Sequence, residues 1–141
     1  MNKVKVVFTD IKKFRDLEYV TLRKVPTRQS KKGTYYDASY LQKADKILAK
    51  KILEDISIPI RGKEVDFLRK AAGLSYNKLG ARLGMTDVGI IKWIKKKEER
   101  LRKPNEAAFR LVMNEIFNIQ KVGFMSEVVG SSSHPPALRI F

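Results

Sequence analysis

The run from Gly73 to Trp93, GLSYNKLGARLGMTDVGIIKW, restricts this chain more than any other stretch. Ser75 and Thr86 stand eleven residues apart, each just ahead of a short helical pattern. A hydroxyl in that place accepts a bond from an unpaired first-turn N–H. Gly84 comes just before Thr86, where a tight turn requires φ > 0. Gly80 falls where two helices cross closely enough that nothing bigger than a methyl fits. Leu79, Leu83, Ile90 and Trp93 supply the apolar pins. A short helix from Tyr76 to Leu83, a glycine turn and a second helix from Asp87 to about Lys95 make a helix-turn-helix.

The flanks extend the pattern. A helix from Lys63 to Ala72 turns Val65, Leu68, Ala71 and Ala72 inward, and Gly73 suits its C-terminal cap. Pro104 suits the start of a last helix that ends near Ile119. Upstream, Asp37 reads as the N-cap of an amphipathic helix to Glu54, with Leu41, Ala44, Ile47, Leu48 and Ile52 on one face. Pro59 and Gly62, in SIPIRG, mark a domain boundary. Residues 1–37 read as short strands: a run at Val4 and Val6–Phe8, an alternating strand Leu17–Val25 and a start at Tyr35–Tyr36. Pro26 is expected to stop the second strand, and TRQSKKG to form a loop. The tail from Val122 is expected to fray, although its final ALRIF is apolar enough to dock. The expected class is α+β: a β-rich subdomain at 1–37, a linking helix at 38–58, a helical domain at 59–120 and a flexible tail at 121–141.

Composition excludes several function classes. No cysteine is present, so disulfides, zinc ribbons and cysteine nucleophiles are ruled out. A single histidine, His134, is too few for most metal sites or a histidine relay. The carboxylates are scattered and no glycine-rich phosphate loop exists, so neither an enzyme nor a cofactor is expected. No eighteen-residue apolar run and no secretory h-region occur, which predicts a cytoplasmic protein with no membrane partner. Thirty Lys and Arg against fifteen Asp and Glu give a net charge of +15, a field that favours a polyanion.

At these residues the chain resembles the lambda-repressor-like, Xre-type helix-turn-helix family. GKEVDFLRKAAGLS before the motif and EAAFRLV after it make it most similar to the DNA-binding domain of MqsA-type antitoxins. The likeness covers about Pro59 to Phe117 and implies a five-helix domain. A weaker likeness over TYYDASYLQKADKILAKKI implies the small N-terminal domain of those antitoxins and its linking helix. That family binds zinc there through two cysteine pairs. This chain has none and would be a metal-free relative.

The resemblance implies a sequence-specific regulator of double-stranded DNA, binding as a homodimer and acting as a repressor. The alternative is an antitoxin-like protein that neutralises a toxin through residues 1–56 and represses its own operon. Asp87, Val88 and Lys92 would face the bases. Lys92 would donate to guanine and Val88 would pack on a thymine methyl. Asp87 is either a cytosine acceptor or a partner of the helix dipole. Gly89 stands where Ser or Thr is usual. Tyr76 would grip a phosphate, and Ser75 and Thr86 are caps that can also touch one. Arg69 lacks the family's glutamate partner, since Ile94 holds that position, and is left to a phosphate or to Glu98. Lys92, Lys95, Lys96, Lys97, Arg100, Arg102 and Lys103 would follow the phosphate backbone, and about six neutralised phosphates would give a salt slope of about −5. In the last helix, Leu111, Val112, Ile116 and Ile119 form one apolar stripe and Phe109, Met113 and Phe117 another. The second is assigned to a dimer or interdomain contact. An RNA-binding module is disfavoured because no basic and aromatic strands interleave, Tyr19, Tyr35 and Tyr36 being the only candidates.

Overall fold

The computed structural model describes residues 5–119 and 138–140. His134 and the GSSSHPP segment lie outside them. The class is α+β: a small sheet followed by five helices. Among the described residues, no helix is long and apolar enough to cross a membrane.

The chain divides into two compact units, with the division at Leu48/Ala49. The first holds β1 (Lys5–Lys12), a 3-10 turn (Phe14–Asp16), β2 (Val20–Ser30), β3 (Gly33–Tyr36) and β4 (Leu138–Ile140). α1 (Ala38–Glu54) begins in it and ends in the second unit. β1 and β3 pair antiparallel with the two edges of β2, and β4 pairs parallel with it at Val20–Leu22. The core comprises Phe14, Leu17, Tyr19, Val20, Leu22, Val25 and Thr27, with Ala44 and Leu48 of α1. Asp37 caps α1 as the sequence predicts, accepting the Ser39 N–H at 2.9 Å. The Ser39 hydroxyl, donating to it at 2.7 Å, and then the Ser39 N–H hold its carboxyl below the usual range.

β2 does not stop at Pro26, and TRQS is strand rather than loop. The edge opposite β1 is paired at Val20–Leu22 and again at Thr27–Ser30. It is open in between, where a residue without an N–H forfeits no ladder bond. Only Lys31 and Lys32 remain as the turn into β3. Lys24, at φ 54, sits where the β1–β2 register shifts. Such a bulge changes which side chains face inward, so Val20 and Leu22 before it and Val25 and Thr27 after it are all buried.

The second unit holds the end of α1, then α2 (Gly62–Ala71), α3 (Tyr76–Leu83), α4 (Asp87–Lys95) and α5 (Lys103–Ile116). Four helices, not five, lie within 59–120, and the end of α1 is the fifth of the unit. SIPIRG is not the boundary, which falls ahead of it at Leu48/Ala49. Ile58 and Ile60 are fully buried, and the Ile60 carbonyl accepts the Leu101 N–H at 2.9 Å. The interior also carries charge. Glu106 is fully buried and accepts from the Ile60 N–H at 3.0 Å, Arg100 Nε at 2.8 Å and Arg100 Nη2 at 3.1 Å. Arg110, also fully buried, lies 3.5 Å from Glu106 and donates to the carbonyls of Ile52 and Ile58. Burial pushes the Arg110 guanidinium below its ordinary value, and Glu106 opposes that shift.

Of the stripe expected at a dimer or interdomain contact, α5 buries Phe109 and Met113 fully inside the chain, closed to a second copy, and Phe117 is half-buried. Leu111, from the other stripe, is the exposed one. α5 ends at Ile116, and Asn118 follows in the left-handed region at φ 57.

Candidate nucleic-acid interface

The candidate site is built on α3, the turn after it, and α4. Ser75 caps α3 by accepting the Lys78 N–H at 3.2 Å, and Thr86 caps α4 by accepting the Gly89 N–H at 3.2 Å. Between the helices, Gly84 takes φ 67 and the Met85 N–H bonds to the Gly80 carbonyl at 2.8 Å. Gly80 has no room for a side chain, since a Cβ there would lie 2.5 Å from the Met85 carbonyl oxygen. Gly62 plays the same part between α2 and the end of α4, where a Cβ would lie 2.3 Å from the Trp93 carbonyl oxygen.

This packing buries Leu79 and Ile90 and turns the opposite face of α4 outward. Val88 is 55% exposed, and Lys92 and Lys95, four and seven residues on, are exposed with it. Lys96 and Lys97 continue that surface past the helix end. The loop carrying them is fixed by its backbone: the Gly62 N–H bonds to the Glu99 carbonyl and the Lys63 N–H to the Lys97 carbonyl, both at 3.2 Å. Asp87 is half-buried and its Oδ1 accepts the Val88 N–H at 2.9 Å. A Cβ at Gly89 would stand 3.0 Å from the Met85 side-chain methyl and 3.7 Å from the Thr86 hydroxyl, so Gly89 keeps that corner of the turn close.

Two residues expected at phosphates are otherwise engaged. Arg100 is paired with buried Glu106 through two hydrogen bonds, which ties it to the core. The Arg69 side chain is 11% exposed, bonded to Asp66 Oδ1 and to the Leu74 carbonyl, both at 2.9 Å. It does not pair with Glu98, which is bound instead by Lys63 at 2.6 Å and Arg61 at 3.4 Å. The Arg69 guanidinium lies 4.2 Å from the centre of the Tyr76 ring, so it positions Tyr76. Tyr76 stays exposed at the start of α3, beside exposed Asn77 and Lys78. The sequence reading passed over Lys78, although its place in the first turn after the Ser75 cap signals it. No protein-family model, curated protein or solved structure matches this chain.

Proposed function

We propose that the chain is a sequence-specific regulator that binds double-stranded DNA with α4 in the major groove. The observation that carries this reading is the α3–α4 packing over Gly80, which leaves Val88, Lys92 and Lys95 on one exposed face running on into Lys96 and Lys97. Lys92 reads guanine, Val88 meets a thymine methyl, and Asp87 accepts from cytosine N4. Ser75, Tyr76 and Lys78 at the start of α3, with Thr86, Lys95, Lys96 and Lys97, hold phosphates. Two chains reading a palindrome would place their α4 helices about 34–36 Å apart. Bound over a promoter, such a pair would exclude polymerase.

The test is fluorescence anisotropy on the DNA upstream of the coding region and on a scrambled duplex, across a salt series. With Lys78, Lys95, Lys96 and Lys97 on about four phosphates per chain, each chain contributes about −3.6 to the slope and a bound pair about −7. A preference of about a thousandfold that survives salt supports the reading. Equal binding to both duplexes that vanishes with salt overturns α4 as the reading element.

A further inference from the structure

The sheet of the first unit has a second face that its core does not use. The antiparallel register sets Val6, Arg28 and Tyr35 in one cross-strand row, and Phe8 opposite Pro26 in the next. Pro26 and Arg28 are two apart on β2, so all five point to the same side. The other side carries buried Val25 and Thr27. Outward, Phe8 is 71% exposed, Val6 57% and Tyr35 50%. The Tyr35 hydroxyl donates to the Lys32 carbonyl at 3.3 Å, which fixes its ring at the hairpin end. Strand spacing and rise place Phe8 and Tyr35 about 12 Å apart, with the exposed Arg28 between them. Rings so separated do not stack on each other, and each face is open to a ligand ring.

The surroundings are cationic. Residues 5–48 hold eleven Lys and Arg against five Asp and Glu, and Lys31 and Lys32 form the turn beside Tyr35. Asp10, the acid on β1, has its carboxylate engaged by the Lys24 N–H at 2.9 Å. An anionic ligand with separate flat apolar rings complements this face. In a duplex those rings stack on one another; in a single strand they are free to stack on protein. We propose that the outer face of the β1–β2–β3 sheet binds single-stranded nucleic acid, stacking bases on Phe8 and Tyr35 and holding the backbone with Arg28, Lys31 and Lys32. The interleaving of aromatic and basic residues that the linear sequence hides is created by strand register.

The test uses the full chain with a short labelled single-stranded DNA, the RNA of the same sequence, and the matching duplex, in anisotropy titrations at screening salt. Phe8→Ala with Tyr35→Ala is expected to weaken both single strands about tenfold or more and leave the duplex unchanged. Phe8→Tyr with Tyr35→Phe, which keeps both rings, retains binding. Equal affinity for DNA and RNA supports stacking without use of the 2′-hydroxyl, and tighter RNA binding supports stacking with it. Unchanged single-strand affinity in the double alanine variant overturns the proposal, as does an equal loss on the duplex. Loss of self-association on a sizing column with single-strand binding intact also overturns it and assigns the face to a second copy. The duplex reading rests on α4 and is tested separately by Lys92→Ala; of these outcomes only an equal loss on the duplex would bear on it.

Discussion

Replacing Gly80 by Ala tests whether the helix-turn-helix is held by contact or by helix propensity, because the two have opposite signs. Gly80 lies inside α3 with an ordinary helical backbone, so propensity alone favours Ala by about 1 kcal/mol. The added methyl would stand 2.5 Å from the Met85 carbonyl oxygen, 3.2 Å from the Thr86 carbonyl carbon and 3.3 Å from the Met85 carbonyl carbon. Ordinary contact begins at 3.4 Å, so the turn must retreat by most of an ångström. It is poorly able to, since the Met85 N–H is bonded to Gly80 itself and Thr86 caps α4. Overpacking of this kind costs about 1–3 kcal/mol, and contact with backbone rather than a flexible side chain puts it in the upper part of that range. The expected net loss is about 1–2 kcal/mol, or roughly 5–15 °C in Tm for a unit of this size. Trp93, the one tryptophan, sits in α4 and reports urea unfolding of that unit directly. Gly84→Ala is the control: nothing stands within 4 Å of its Cβ position, and its cost of about 1–2 kcal/mol comes from the left-handed backbone alone. A Gly80→Ala protein as stable as the wild type, or more so, would refute the contact argument.

Three further outcomes follow from the same structure. Glu106→Gln strips the carboxylate from two arginines, one of them fully buried, and is expected to destabilise the second unit by about 3–5 kcal/mol in urea unfolding. Burial alone would raise the Asp66 carboxyl, but the hydrogen bonds and charges of Arg69 and Lys70 outweigh it and hold the group below its ordinary 3.8. A depressed carboxyl contributes stability above its unfolded value and loses it as pH falls through the folded one. The urea midpoints of wild type and Asp66→Asn should therefore differ near neutrality and converge in acid below that value; a difference independent of pH would remove Asp66 from the account. In competition binding, Lys92→Ala should cost about 1–3 kcal/mol and relax preference at one base position, while Lys96→Ala should weaken all duplexes alike and flatten the salt slope. Equal losses on every sequence in both variants would displace α4 from the groove.

What the sequence revealed here was whatever a few adjacent residues decide. Ser75, Thr86 and Asp37 each cap the helix expected of them, and the predicted limits of α1, α3 and α4 are those found, because a cap and its N–H lie within three residues of each other. The failures lie where distant residues decide. Pro26 would end an average central strand, but the gap left by β3 and β4 along β2 admits it. The two apolar stripes of α5 are alike in sequence, and only the packed domain selects Phe109 and Met113 for the core. Arg100 looks like the lysines near it, yet Glu106, buried by the packed core, draws it out of the candidate interface. Arg69 is the exception to this rule, since its partner Asp66 stands only three residues away on the same helix. Nothing adjacent to Glu106 signals that its carboxylate collects Ile60 and Arg100 and stands beside Arg110.

The parallel pairing of β4 with β2 bears on the order in which the chain is made. β2 is complete at Ser30, but the strand that fills its edge at Val20–Leu22 begins at Leu138, after all five helices of the described residues have been synthesised. Domains commonly fold in the order they leave the ribosome. Here the first unit to emerge is the last to be finished, and its sheet keeps an open edge while the helical unit already has all its parts. Shortening the chain ahead of Leu138, or attaching a bulky fusion beside it, would therefore act at the opposite end of the sequence.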